Sequence, residues 1–295
     1  MASHLIKSMT GFGSADSIVG TSRIAVEIRS VNHRFFSPSI KTPSGLARLE
    51  GDIRELLRQR IARGHVTASL RIGTDREAGP KIDAARVAAY AEQLAAIQQE
   101  LGGSGPVGLD VLMRLPHVVT TDDVQTVPDR PEDILAVVRQ ALDGMDQMRA
   151  AEGKKLTAII LDRLAAIESA MARVAARAPH RVVEQRDRLR KAVAALMDGA
   201  LPDEARIAQE IAMLADRLDV EEEIARFATH ISAFRETLQT PPPDGVGKRL
   251  GFLLQELLRE ANTTGSKASD GAIVTEVLAI KEDLERIREQ VENLE

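Results

Sequence analysis

The spacing of apolar residues changes along this chain, and the change limits the folds that the chain can adopt. In residues 22–34, Ile24, Val26 and Ile28 alternate with polar or small residues, as in a strand with one buried face. Residues 65–73 alternate in the same way. From residue 131 onward, apolar residues instead recur every three or four positions, which is typical of amphipathic helices. The chain therefore combines a β-containing front with a helical remainder.

The front of the chain is predicted to follow the order strand, strand, helix, strand, helix. A second extended segment covers 35–42, and helices are predicted over 46–63 and, from a cap at Asp83, over 83–101. This order indicates a sheet that is antiparallel or mixed. The predicted fold class is α+β. A small N-terminal α+β sheet domain spans residues 1–128, and a long all-helical region spans residues 129–295.

The helical region is predicted to consist of several separate helices. Residues 132–178 form one or two of them, with an interruption near Gly153, and Pro179 ends the run before it resumes over 180–196. Further helices are predicted to begin at caps at Asp203 and Asp219.

The final helix, predicted from residue 272 onward, carries a heptad-like apolar stripe with 4-3-4-3-4-3 spacing. Its members are Ile273, Val277, Ile280, Leu284, Ile287, Val291 and Leu294. The stripe fits a coiled-coil seam for oligomerisation. It fits equally a helix packed against its own subunit's bundle, and both alternatives stay open.

The composition excludes several classes of protein. The absence of Cys excludes disulfides, thiolate catalysis and Cys-ligated metal sites. No run approaches the length of a membrane span, the N-terminus lacks the apolar core of a signal peptide, and a cytoplasmic location with no membrane partner is expected. No Walker A, dinucleotide-binding, G-x-S-x-G or H-E-x-x-H motif is present.

Charge is distributed unevenly although the net charge is only −5. Residues 1–78 contain 12 Lys and Arg against 7 Asp and Glu, whereas the remainder contains 27 against 37. A chain with a basic N-terminal part and an acidic remainder can present a phosphate-binding surface although its net charge is negative. Alternatively, the two halves attract one another within or between subunits.

A first polar cluster lies towards the end of the strand predicted over 22–34. Its members are Glu27, Arg29, Ser30, Asn32, His33 and Arg34. The forked guanidinium group of arginine can donate two hydrogen bonds to phosphate oxygens. Asn or His side chains can bond to a sugar hydroxyl or to a base edge. The alternative is an ordinary solvent-facing sheet surface.

A second cluster combines several carboxylates with one histidine, between Glu210 and His230. Glu223 and His230 lie seven residues apart, which places them two turns apart near one helix face. Carboxylates with a histidine and no cysteine suit Mg²⁺ or Mn²⁺ better than structural zinc. The alternative is a surface or capping histidine.

A third cluster lies in residues 247–270, predicted to be an amphipathic helix ending in a polar, glycine-broken loop. Glu256 and Glu260 are four residues apart, so their carboxylates lie one turn apart on the same side and repel one another. A metal ion or a basic partner would remove that repulsion, and Lys267 is placed to contact a phosphate. The alternative is a solvated face with salt bridges to Lys248, Arg249 or Arg259.

Several ordered blocks spanning nearly the whole chain resemble the YicC/YloC family. They are Ser8-Met9-Thr10-Gly11-Phe12-Gly13, the run from Glu27 to Phe35, Arg63-Gly64-His65-Val66, the run from Met148 to Gly153, Gln209-Glu210-Ile211-Ala212, Asp219-Val220 with Glu222-Glu223 and His230, Gly247-Lys248 with Leu250, Phe252-Leu253 and Gln255-Glu256, and the run from Arg259 to Lys267. The chain departs from the family pattern at Leu258 and Thr264.

Members of that family are described as metal-dependent endoribonucleases that assemble as hexameric rings and clamp RNA inside. The resemblance therefore implies RNA as substrate, Mn²⁺ or Mg²⁺ as cofactor, a homo-oligomer, and possible RNA-degradation partner proteins. The three clusters then supply the candidate site. The catalytic candidates are Glu256, Glu260, His230 and His33. The RNA-binding candidates are Arg29, Asn32, Arg34, Arg259, Asn262 and Lys267. The metal candidates are Glu223, Glu256 and Glu260.

Two chemical routes and two rival functions stay open. Attack by a metal-activated water leaves a 5′-phosphate, whereas attack by the ribose 2′-hydroxyl leaves a 2′,3′-cyclic phosphate. The rival functions are a non-catalytic RNA-binding or adaptor protein that assists another nuclease, and a structural oligomer whose polar clusters are inter-subunit salt bridges.

Overall fold

The computed structural model describes residues 5–74, 81–103, 105–120, 129–196, 203–242 and 245–295. The strands are β1 Gly11–Val19, β2 Ser22–Val31, β3 Phe36–Lys41, β4 Gly64–Thr74, β5 Lys81–Ile82 and β6 Val119–Thr120. The helices are α1 Glu50–Arg60, preceded by a 3₁₀ segment Ser44–Leu49, then α2 Ala84–Glu100, α3 Leu109–Leu112, α4 Pro131–Leu196, α5 Glu204–Leu218, α6 Glu221–Gln239, α7 Gly247–Lys267 and α8 Gly271–Val291. No helix in the described ranges is long and apolar enough to cross a bilayer.

The N-terminal sheet has four strands in the order β1-β2-β4-β3. β2 pairs antiparallel with both β1 and β4, while β3 runs parallel to β4, so the sheet is mixed. The α+β class and the succession of a sheet and a long helical region are confirmed. β1 was not predicted, because its Gly, Ser and Asp residues hide the alternation.

One face of the sheet is buried under α1 and the first turns of α4. Ile24, Val26 and Ile28 share a core with α1 residues such as Ile53 and with the α4 stretch that ends at Met145. The start of the helical region therefore packs with the N-terminal sheet. The segment 121–128, at the predicted boundary between the two domains, lies outside the described residues.

Helix α4 is a single helix of 66 residues, about 99 Å long at 1.5 Å per residue. The predicted interruptions at Gly153 and Pro179 are therefore wrong. Gly153 makes room for the N-terminal segment, because a Cβ there would lie 2.4 Å from the carbonyl oxygen of Ile6. Pro179 lies inside the helix and removes only one backbone donor, so the helix continues past it.

The second core lies between the middle of α4 and helices α6, α7 and α8. It includes all seven residues of the heptad-like stripe, each of them buried within this chain. The stripe therefore packs against its own subunit's bundle, and it is not a seam between subunits.

Helix α7 extends to Lys267 and so includes the polar segment that was predicted to be a loop. The hydroxyl of Thr263 donates to the carbonyl of Arg259, and that of Thr264 to the carbonyl of Glu260, so neither competes with the helix. Gly265 allows α8 to approach, because a Cβ there would lie 3.1 Å from Val277.

The N-terminal segment is held between α4 and the last residues of the chain. Backbone N–H groups of Lys7 and Met9 donate to the carbonyls of Glu295 and Asn293 at 3.0 and 2.8 Å. Arg149, which is 1% exposed, donates from Nε to the carbonyl of Ser8 at 2.7 Å and pairs with the Glu295 carboxylate. One buried guanidinium therefore joins three distant parts of the chain.

Replacement of two glycines inside α4 by alanine is expected to change the free energy of unfolding in opposite directions. Gly153→Ala forces a Cβ against the Ile6 carbonyl and is expected to lower the free energy of unfolding by about 1–3 kcal/mol. Gly144→Ala is the matched control, because no atom of the described residues lies within 4 Å of its Cβ position. It is expected to raise that free energy by about 0.5–1 kcal/mol. Urea denaturation measures both, and equal effects at the two positions would contradict this account.

The start of α8 is expected to lose stability in acid. Hydrogen bonds from Arg177 hold the pKa of Asp270 below its usual value. The ion pair therefore contributes to the free energy of unfolding when the pH is above the pKa of the unfolded state, near 4. This contribution is lost as the pH falls through the lower pKa of the folded state. Asp270→Asn keeps the cap on the Ile273 N–H but removes the charge. Its stability deficit, measured by urea denaturation, is therefore expected to be constant from pH 7 to about 5 and to shrink below pH 4. A deficit independent of pH would exclude the ion pair as its cause.

Candidate active site on helices α6 and α7

Helices α6 and α7 pack side by side and run in opposite directions. Glu223, near the start of α6, meets Lys267 at the end of α7 with a distance of 2.7 Å between the carboxylate and the ammonium. His230 lies seven residues further along α6, and Glu260 lies seven residues back along α7. The antiparallel packing therefore brings these two side chains to the same level, about 10 Å from the Glu223–Lys267 pair.

His230, Glu256 and Glu260 form one compact group. Each offers one nitrogen or carboxylate oxygen, and the three atoms lie within 4.8 Å of one another. Glu260 is only 3% exposed. Among the described residues its carboxylate has no hydrogen-bond or ion-pair partner, whereas Glu256 has an arginine, Arg259, at 3.7 Å. A nearly buried carboxylate beside a second one is unfavourable unless a cation or a proton joins them.

The group fits a hard divalent ion. Bonds of about 2.1 Å place opposite ligands on such an ion about 4.2 Å apart, so the observed spacing needs only a small inward movement of the side chains. Two carboxylates and one imidazole suit Mn²⁺ or Mg²⁺, and in the described residues no other group of three such donors is this close. His230, Glu256 and Glu260 are therefore the residues that would hold the ion.

Glu223 was predicted as a third carboxylate ligand, and the structure places it elsewhere. It is 7% exposed, one oxygen pairs with Lys267, and its Oε2 is buried without a hydrogen-bond partner in the described part of the chain. Lys267, predicted to bind RNA, is thus half-buried and paired with an acid. The two residues form a separate ion pair two turns from the acidic group.

Arg181 of α4 supports this end of α7. It is 2% exposed, and its Nη1 donates to the carbonyls of Lys267 and Ala268 at 2.9 and 2.7 Å, while Nη2 contacts the carbonyl of Leu218. Burial lowers the pKa of Arg181, although the nearby Asp270 raises it. Carbonyls at the ends of helices carry partial negative charge, so a buried cation is well accommodated there.

A groove of about 610 Å³ lies between the start of α7, the end of α8 and the connection after β2, and the acidic group is not part of its lining. Asn32 and Arg34 line one wall, and Lys248, Phe252 and Gln255 line another. The first and third sequence clusters therefore meet at this groove, although 213 residues separate Arg34 from Gly247 in the chain.

The remaining predicted residues lie around the groove or on the sheet. Asn32 donates to the carbonyl of Glu292 at 2.8 Å, which joins the β2 connection to the end of α8. His33 is exposed and bonded through Nδ1 to the carbonyl of its neighbour Phe35, outside the His230 group. Arg29 lies on the exposed sheet face with its guanidinium 5.2 Å from the centre of the Phe12 ring. Arg259 and Asn262 are exposed on α7.

Most groove residues, including three of its cations and its aromatic residue, were not among the predicted site residues. Arg63, Arg288 and Phe252 line the groove together with Arg34 and Lys248. The Gly247-Lys248 block pointed to Phe252, but nothing in the sequence indicated that the end of α8 would bring Arg288 beside it. The lining contains four cations and two carboxylates, so its charge suits an anionic ligand.

Comparison with known proteins matches both parts of the chain. A family model described as endoribonuclease YicC-like, N-terminal region, matches residues 6–158, and one described as endoribonuclease YicC-like, C-terminal, matches residues 174–295. A probable endoribonuclease YicC of Haemophilus influenzae is 34% identical over 295 residues, covering 99% of this chain and 100% of that protein. A probable endoribonuclease YicC of Clostridioides difficile is 30% identical over 293 residues, covering 98% and 99%.

Proposed function

Because this chain belongs to the endoribonuclease YicC-like family, we propose that it cleaves phosphodiester bonds within RNA. The observation that carries the proposal is the meeting of His230, Glu256 and Glu260 at α7, a helix that also lines a basic groove. Two carboxylates and an imidazole suit a metal-dependent reaction, and the groove suits the sugar-phosphate chain. The proposed ion is Mn²⁺ or Mg²⁺.

The chain's own residues have distinct proposed roles. A bound divalent ion would lower the pKa of a water and offset charge on the phosphate. Glu256 and Glu260 would hold the ion, and His230 would either complete the ligand set or transfer a proton. Arg34 and Lys248, which have no carboxylate partner among the described residues, bind phosphates along the groove. His33, on the same connection as Arg34, is proposed to move a proton at a second position.

The proposed active form is a homo-oligomeric ring, with a hexamer as the expected size and RNA held in its channel. Helix α2 supports self-association, because none of its residues is buried in the described part of the chain. Ile97 of α2 is 51% exposed, and Leu101, directly after the end of α2, is 82% exposed. Sedimentation velocity tests the assembly, and a monomer at micromolar concentration would contradict it.

A cleavage assay tests the enzymatic proposal. We expect purified protein with Mn²⁺ to cut RNA at internal positions, EDTA to stop the reaction, and end-group analysis to find 5′-phosphates. Products with 2′,3′-cyclic ends that form equally in EDTA would replace the metal-dependent route with attack by the 2′-hydroxyl.

The same assay separates the enzyme from the alternative functions. Salt-sensitive RNA binding that persists in EDTA without any cleavage would favour an adaptor that assists another nuclease. Absence of both binding and cleavage would overturn the proposal and favour a structural oligomer.

A further inference from the structure

One aromatic ring is exposed at the groove of a chain that has few aromatic residues. The sequence contains six Phe, one Tyr and no Trp. Phe227 and Phe234 are buried in the helical core, as expected for such large apolar side chains. Phe252 is instead 59% exposed and lines the groove. The apolar surface that it leaves in water is available for a ligand.

The position of Phe252 on α7 links the groove to the acidic group. In a helix with 3.6 residues per turn, Gln255 is rotated about 60° to one side of Phe252 and Glu256 about 40° to the other. Gln255 lines the groove, and Glu256 belongs to the group with His230. Phe252 therefore stands between the two, about 6 Å along the helix axis from Glu256.

Several cations line the same groove as the Phe252 ring. Lys248 lies one turn before Phe252 on α7, and Arg34 and Arg63 lie in the same groove. The guanidinium of Arg34 is 5.3 Å from the centre of the exposed Phe35 ring. Aromatic rings and guanidinium planes beside a basic groove are the groups that bind single-stranded nucleic acid by stacking.

We infer that Phe252 stacks on an unpaired nucleobase and so positions a single-stranded segment of RNA next to the acidic group. A base within a duplex has both faces covered by its neighbours, so it has no face free for the ring. Phe252 is thereby a specificity-determining residue that selects unpaired RNA. The inference rests on the proposed function, because it assumes that RNA occupies this groove.

The absence of tryptophan from the sequence makes the inference directly measurable. Phe252→Trp introduces the only tryptophan of the chain at the groove, and its emission can be excited selectively over that of the one tyrosine. With EDTA present to prevent cleavage, a single-stranded oligoribonucleotide is expected to quench its emission, and the same strand annealed to its complement is not. Leu278→Trp is the matched control, because Leu278 is also 59% exposed on a helix but does not line the groove. Its emission is expected to be unchanged by either RNA.

A second variant tests the contribution of the ring to binding. Phe252→Leu is expected to weaken binding of the single strand by about tenfold or more and to leave duplex binding unchanged. Phe252→Tyr keeps a ring of similar size and is expected to retain the preference for the single strand. Circular dichroism and thermal unfolding verify that each variant folds.

The outcomes separate this inference from the proposed function. If the unsubstituted protein cleaves RNA but duplex and single strand quench Phe252→Trp equally, or Phe252→Leu binds both normally, the stacking role is wrong and the nuclease stands. If RNA is neither bound nor cleaved, the proposed function fails as well. Selective quenching together with weaker single-strand binding supports the inference.

Discussion

Glu260→Gln is expected to lower the rate of RNA cleavage by at least about 100-fold without unfolding the protein. Glutamine has nearly the same size as glutamate but lacks the charge with which a nearly buried carboxylate would hold a divalent ion. Loss of a metal ion removes several kcal/mol of charge stabilisation from the transition state, and about 2.7 kcal/mol corresponds to 100-fold. Single-turnover cleavage at saturating RNA measures the rate, and calorimetric titration with Mn²⁺ measures the affinity.

The control is the same substitution at an exposed acid of α8. Glu282 pairs with Arg286 on the helix surface and lies outside the His230 group, so Glu282→Gln is expected to leave cleavage and Mn²⁺ affinity unchanged. His230→Ala combined with Glu260→Gln is expected to be little worse than the poorer single variant, because residues that act as one unit are not additive. Unchanged Mn²⁺ affinity in Glu260→Gln would remove Glu260 from the ligand set.

Arg149→Ala is expected to destabilise the protein more than Gly153→Ala does. Truncation leaves the carbonyl of Ser8 without this donor, removes the partner of Glu295 and opens a cavity in α4. Removing one member of a buried ion pair costs about 3–5 kcal/mol. For a chain of this size, that loss corresponds to a decrease in Tm of about 10 °C. Differential scanning calorimetry measures the change.

A second variant separates the loss of charge from the loss of geometry. Arg149→Lys keeps the positive charge but cannot donate to Ser8 and Glu295 in the same fork-like arrangement. It is expected to recover less than half of the stability lost in Arg149→Ala. Full recovery would show that the charge alone matters, and an unchanged Tm in Arg149→Ala would contradict the joining role of this residue.

The alternation of Ile24, Val26 and Ile28 was sufficient to predict β2, and the sheet class followed from the order of elements. The continuity of α4 was not predictable in the same way. Gly153 and Pro179 are residues that usually interrupt helices, and only tertiary contacts show that Gly153 accommodates the N-terminal segment. At Gly153 local propensity was overruled by packing.

The candidate site was predictable only in part, for a similar reason. The pair Glu256 and Glu260 follows from helical spacing alone, and His230 stood out as the one histidine of the second polar cluster. The antiparallel packing of α6 on α7 decides that His230 joins this pair while Glu223 meets Lys267 instead. Sequence spacing within one helix carries no information about the level at which a second helix lies beside it.

Pro179, in the interior of α4, has a mechanical consequence for helix α7. Pro179 deprives the carbonyl of Ala175 of its helical donor, so α4 bends most easily there. Arg181, two residues further on, is bonded to the carbonyls at the end of α7. Any bend of α4 at Pro179 would therefore have to move the end of α7, the helix that carries Glu256 and Glu260, or break those hydrogen bonds.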